Sequence, residues 1–286
     1  MEDRHIVEIA GTRAVIGDGK VLEIGVPPIS FCPFAKRFAS PIDPVTKETI
    51  QKNIEHRIKS FGMCTKHRQV LATESMVLFG ATELMITSLR NGILDAVVIC
   101  CDGAGTVIVT SPELVQGIGG RMSGLIATVP YAEVISAIED AGGIVIDKEQ
   151  ASLNALKGVM VAKECGFEKI AVTVPGFQVE IAEEIRELYS DVVIIGVHTS
   201  GISSKEDANR LCRAADLVFA CASKYIREVV GDFALVQGGV GVPVFATSKA
   251  GKRIVLERLL ETNEPFLVKN MQLPICDMRK QPEPLV

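Results

Sequence analysis

A rhythm constrains the fold of this chain more than any other feature. Three short runs of aliphatic residues, 169–174, 192–197 and 217–220, are spaced by segments long enough for a helix. The runs are too short for buried helices and lack polar alternation, so each predicts a strand covered on both faces. The segments 151–165, 178–189 and 203–214 read as the intervening helices. Gly166 closes the first, and Ser203 with Glu206 fits a capping box opening the third. The repetition predicts an α/β fold with a mainly parallel sheet of βαβ units. The chain has 286 residues, 48% of them hydrophobic, but no Trp and only 3 Tyr, so its core must be aliphatic.

The stretch before this rhythm reads differently. Residues 6–9, 14–16 and 21–26 predict short strands, and Asp18-Gly19 between the last two is a hairpin signal. They form a small β-hairpin-containing layer. Asp43-Pro44 predicts the start of a helix over 43–62, where Ile50, Ile54, Ile58 and Phe61 make one apolar stripe and Gly62 caps the end. Further helices are predicted over 74–89, 131–141, 224–230 and 254–260, with a short one opened by Ser111-Pro112. Strands are predicted over 96–101, 107–109, 144–146, 234–236 and 243–246, and an irregular glycine loop over 117–124. These elements divide the chain into an N-terminal region, 1–68, an α/β domain, 69–262, and a tail, 263–286, whose last residues, 281–286, are expected to be loose. The domain reads as two similar lobes, 69–147 and 148–262, on the strength of one echo: Val115-Gln-Gly-Ile-Gly119 and Val236-Gln-Gly-Gly-Val240.

Charge and hydropathy exclude several functions. The net charge is −5 and the isoelectric point about 5.5, so no basic surface for nucleic acid is expected. No apolar run approaches the ~18 residues of a membrane span. The charged start, Met1-Glu-Asp-Arg-His5, is unlike a signal peptide, which predicts a cytoplasmic protein. In that setting the eight cysteines are not expected to form disulfides.

Candidate chemistry falls in several places. Ligands of open parallel sheets bind beyond the carboxyl ends of the strands. That rule selects Asp102, His198, Cys221 and Lys224 as candidate catalytic groups, with Thr199 and Ser200 as candidate ligand contacts. Asp102-Gly-Ala-Gly-Thr106 could cradle a phosphate through Gly103, Gly105 and Thr106, although a tight hairpin is the favoured reading. Gly119, Gly120 and Arg121 could bind an anion. Cys32-Pro33 and Cys64-x-x-His67 suggest a metal set of Cys32, Cys64 and His67, holding zinc or an iron–sulfur cluster; the alternative is that both thiols are packing groups. Cys100, Cys165 and Cys212 are expected in the core. His5 and His56 are expected on the surface.

Taken together, Phe31-Cys-Pro-Phe34, residues 53–65, Asp102-Gly-Ala-Gly-Thr106, residues 114–124, His198-Thr-Ser-Gly-Ile202 and residues 220–227 resemble the methanogenesis marker protein 8 family. The resemblance spans about residues 5–260. It implies a place in methane metabolism and an anaerobic cytoplasm compatible with many free thiols, but no reaction or catalytic residue. Two functions follow. One is an accessory or assembly protein of anaerobic methane or C1 metabolism, with a cysteine-held metal and with methane-metabolism enzymes or their maturation machinery as partners. The other is an α/β enzyme acting on a small anionic or phosphate-bearing ligand. A homodimer is a further expectation.

Overall fold

In a computed structural model, residues 3–74, 77–121 and 124–286 are described. The chain begins with an antiparallel meander, β1 (His5–Ile9), β2 (Thr12–Gly17) and β3 (Lys20–Ile24). Asp18 and Gly19, with φ of 50° and 66°, make the β2–β3 turn that their sequence predicts. Helix α1 (Lys47–Phe61) starts later than predicted. Its cap is Thr46, which exchanges hydrogen bonds with Thr49, while Asp43-Pro44 lies in the preceding loop. Gly62 ends the helix with φ of 73°.

Helix α2 (Ala81–Arg90) is shorter than its sequence suggests. Glu74, where the sequence predicts the helix to start, and residues 77–80 are not helical, and residues 75–76 lie outside the described residues. Strands β4 (Ala96–Cys101) and β5 (Gly105–Val109) form a hairpin, followed by α3 (Pro112–Ile118), capped by Ser111. The predicted glycine loop is therefore partly helix. It is also partly strand, because β6 (Gly124–Ala127) returns to pair with β1. The first sheet, ordered β3-β2-β1-β6, thus takes a strand from the middle of the chain.

The rest follows the predicted alternation: α4 (Ala132–Asp140), β7 (Ile144–Val145), α5 (Ala155–Glu164), β8 (Ile170–Pro175), α6 (Val179–Leu188), β9 (Val193–Val197), α7 (Lys205–Ala214), β10 (Leu217–Phe219), α8 (Lys224–Val229), β11 (Val236–Gly238), β12 (Val244–Ala246) and α9 (Lys249–Glu261). Ser204 rather than Ser203 caps α7. The second sheet is ordered β11-β12-β10-β9-β8-β4-β5-β7. Its centre is parallel, through β4–β8, β8–β9 and β9–β10, but both flanks are antiparallel. The sheet is mixed rather than mainly parallel. Tight turns cause the difference: the three residues between β4 and β5 are too few for a crossover, which needs a dozen or more.

The echoed pentapeptides adopt different structures, one in α3 and the other in β11 and the loop after it. Their likeness is not a structural repeat.

Two aliphatic clusters cover the two faces of the large sheet, with Ile99, Val107 and Ile195 on one and Val98, Val172 and Ile194 on the other. A third cluster, including Ile9, Ile16, Ile50 and Ile54, joins the small sheet to α1. The end of the tail, 281–286, is not loose. Gln281 and Pro282 are buried, Phe31 and Glu283 form a β-bridge, and Val286 exchanges backbone hydrogen bonds with Ala222 and Lys224. No helix among the described residues is long and apolar enough to cross a membrane.

Candidate functional site

A cleft of about 960 Å3 opens between the two sheets at the carboxyl ends of β9 and β10. This is where a strand-end rule places a ligand. Of the predicted residues, His198, Cys221, Ser200, Gly119, Gly120, Arg121 and Cys32 line it.

His198 and Cys221 follow the ends of adjacent parallel strands, and both take left-handed backbone, with φ of 51° and 43°. Non-glycine residues adopt that conformation at a cost, which packing around them must impose. Here β1 supplies part of it. Glu8, on the face of β1 opposite Val7 and Ile9, places Oε2 2.9 Å from His198 Nδ1. A Nδ1–H donated to Glu8 leaves Nε2 as the basic nitrogen. Nε2 has no hydrogen-bond partner among the described residues, and the side chain is 31% exposed. Burial pushes the Glu8 carboxyl up. The hydrogen bond and charge of His198, with the N–H of Gly11, outweigh that and hold it below the ordinary carboxylate range.

Cys221 and Cys32 face this pair from loops that the tail ties together, because Glu283 pairs with Phe31 and Val286 with Ala222. The tail is anchored in turn by Arg227. Its Nε donates to Gln281 Oε1 at 2.6 Å, and its terminal nitrogens donate to the carbonyls of Ala220, Cys221, Ser223 and Gly241. Burial pushes both thiols up, so at neutral pH each is an S–H group rather than a thiolate.

The other end of the cleft is cationic. Arg57 stacks on Phe38, its guanidinium 4.8 Å from the ring centre, and donates from Nε to Asn53 Oδ1. Burial, with the charge of Arg68 beside it, lowers its pKa to about 10. Arg121 lies 5.4 Å over Phe61, with Glu74 3.8 Å away.

The remaining predicted residues lie elsewhere. Asp102 is 0% exposed and fully engaged: Oδ1 accepts from Arg68 Nε at 2.9 Å and Oδ2 from the Cys64 N–H at 2.5 Å. A carboxylate sealed in this way has no access to a substrate. Gly103 and Gly105 shape a hairpin turn, with φ of 87° and 75°. Gly103 N–H donates to Thr128, and Thr106 Oγ1 accepts from Asn154 N–H. A Cβ on Gly105 would sit 2.3 Å from Ala151 C, so the turn is covered by chain and offers no phosphate cradle.

Thr199 is buried, with its hydroxyl on the Phe219 carbonyl, and Lys224 is exposed over Tyr225. Cys64 is buried beside Asp102, His67 is exposed, and Cys32 lies in the cleft. Among the described residues no three His, Cys, Asp or Glu side chains gather as a metal needs, so this set does not fit zinc or a cluster. Cys165, expected in the core, is exposed. His5, expected at the surface, is buried, with Nδ1 on Thr128 and Nε2 on Tyr131 and Asp3.

Sequence reasoning missed Glu8, Arg57 and Gln116 in the cleft. Arg57 carried a signal. It sits seven residues after Ile50 and four before Phe61, inside the apolar stripe, where a charged residue needs a buried partner. Glu8 carried none, because its partner is 190 residues away.

The profile of a family described as "Uncharacterized protein conserved in archaea (DUF2099)" matches residues 5–260. "Uncharacterized protein MJ0054" of Methanocaldococcus jannaschii is 42% identical over 289 residues, covering 99% of this chain and 100% of that protein. Among solved structures, a chain of a xenon-derivatised NiFe hydrogenase complex from Methanosarcina barkeri overlaps 63% of this chain and 72% of its own. Its identity is 15% and its TM-score 0.32, too low to carry an argument.

Proposed function

The chain belongs to this family of proteins conserved in archaea, and we propose that it is an enzyme whose cleft binds a small anionic molecule and moves a proton on it through His198. The observation that carries the reading is the 2.9 Å Glu8–His198 pair at the strand ends, with Nε2 left open to the cleft. A carboxylate on Nδ1 fixes the tautomer and stabilises the imidazolium that forms when Nε2 takes a proton. The cations at the far end supply the attraction for an anion. Cys221 and Cys32, held as thiols, shape and dry the wall beside His198.

The setting we propose is the anaerobic methane or C1 metabolism implied by the resemblance to the marker family. Eight free cysteines support it, since such thiols oxidise in air. The accessory-protein reading loses its main support, because Cys32, Cys64 and His67 are not assembled into one site.

A thermal-shift screen of small organic anions, followed by NMR assay of each stabilising compound for turnover, tests the proposal. His198→Gln is expected to bind the same compounds and to lose on the order of 10²–10⁴-fold in turnover. Turnover by His198→Gln at the wild-type rate would remove the base and the proposal with it.

A further inference from the structure

Two residues lining the cationic end of the cleft each hold a buried polar atom that has no partner among the described residues. Arg121 Nη1 and Gln116 Oε1 are both buried and make no hydrogen bond among the described residues. Gln116 is only 2% exposed, and its amide is fixed on the other side, where Nε2 donates to the Glu74 carbonyl at 2.5 Å. The two groups are neighbours through the end of α3. The Gln116 amide lies against Gly120, where an added Cβ would come within 2.5 Å of Nε2, and Arg121 is the next residue. A buried donor and a buried acceptor that stay unpaired each destabilise the free protein, by about 1–3 kcal/mol, and native proteins leave few of them. Such a pair at the wall of a large cleft has the form of a site waiting for a ligand.

We propose that Arg121 and Gln116 form the acid-binding subsite of the cleft, and that the ligand presents there a carboxylate with a hydroxyl or N–H group beside it. The inference rests on the cleft being the ligand site, and it names the ligand's chemistry. Arg121 Nη1 donates to a carboxylate oxygen, and the neighbouring hydroxyl or N–H donates to Gln116 Oε1. The complementarity is specific. A group that offers only acceptors satisfies Arg121 but sets an oxygen against Gln116 Oε1. A phosphate monoester dianion does that; inorganic phosphate keeps one O–H donor as its dianion, but gathers both its charges on one small group against three lining carboxylates, Glu8, Glu74 and Glu83. The single charge of a carboxylate balances Arg121 with less repulsion.

Calorimetric titration of the whole protein with malate, succinate and inorganic phosphate tests this without any turnover. Malate has the flanking hydroxyl and succinate lacks it. Malate is expected to bind roughly tenfold tighter than succinate, the difference made by one buried hydrogen bond. Arg121→Met should weaken both acids by roughly tenfold or more. Gln116→Leu should weaken malate alone and bring it to the level of succinate. Should Arg121→Met fail to fold, Arg121→Lys keeps the charge, loses the forked geometry and should show a smaller loss of the same kind. Failure of malate to bind, equal binding of malate and succinate, tighter binding of phosphate, or unchanged affinity in Arg121→Met each overturns the proposal. The reading of His198 as a base stands or falls separately, because titration measures no proton transfer.

Discussion

Two polar clusters stand close together in this molecule, built from much the same residue types. One surrounds Asp102, with Arg68, the Cys64 backbone, His5, Tyr131 and Asp3. The other lines the cleft, with Glu8, His198, Cys221, Gln116 and Arg121. In the first, each carboxylate oxygen of Asp102 and each ring nitrogen of His5 has a partner, and Arg68 and Asp102 are fully buried. In the second, His198 Nε2, Arg121 Nη1 and Gln116 Oε1 have none among the described residues. A satisfied buried network fixes one arrangement of the elements around it. A partly satisfied one beside open space is where we propose that a ligand binds. Satisfaction, rather than residue type, separates the sealed cluster from the proposed site here.

The comparison breaks first if the Asp102 cluster proves dispensable. Asp102→Ala leaves Arg68 charged and buried without its carboxylate, and is expected to destabilise by about 3–5 kcal/mol, read as a lower urea midpoint. An unchanged midpoint would erase the contrast. Titration of stability sharpens the comparison next. Burial favours neutral His5, holding its pKa below the ordinary 6.5, so the unfolded chain takes up this proton first as pH falls. Stability is therefore complete above about pH 6.5 and declines below it. Glu8, with its pKa below the ordinary 4.5, adds a second decline that begins only under that pH and proceeds as pH falls through its folded value. Melting temperature against pH should show both, and His5→Gln should remove the upper one.

Glu8→Gln is expected to change stability by no more than about 1 kcal/mol, since Gln keeps a hydrogen bond to Gly11. Its effect should fall on turnover, through loss of the tautomer that exposes Nε2. A larger loss of stability than in Asp102→Ala would invert the comparison. The smallest effect concerns the thiols. Exposed Cys165 should be alkylated by iodoacetamide first, with Cys64 and Cys101 untouched until the chain unfolds, as peptide mass mapping would show.

Much of the layout is legible in the sequence alone. The strands over 170–175, 193–197 and 217–219, the turn at Asp18-Gly19 and the cap at Gly62 fall at or within a residue of where the sequence puts them. They are local: an aliphatic run or a left-handed turn is written in a few adjacent residues. Less legible was which way each strand runs, because direction in the large sheet depends on turn length and on which edge each strand joins. Strand β6 went unseen because Gly124–Ala127 is too short to signal itself without its partner β1.

The cleft divides along the same line. His198 and Cys221 were legible because a strand end is a sequence position, and strand ends of such sheets face ligands. Glu8, Gln116 and the anchoring tail were not, since each matters only through a partner far along the chain. Asp102, from the same strand-end rule, was misread for the same reason: the sequence shows a carboxylate after a strand, and only the approach of Arg68 and the Cys64 backbone seals it from water. The sequence by itself determined an aliphatic α/β protein with polar and reactive side chains after its strand ends. The tertiary structure alone decided which of those groups are satisfied and which stand open, because burial and pairing belong to the packing of distant segments.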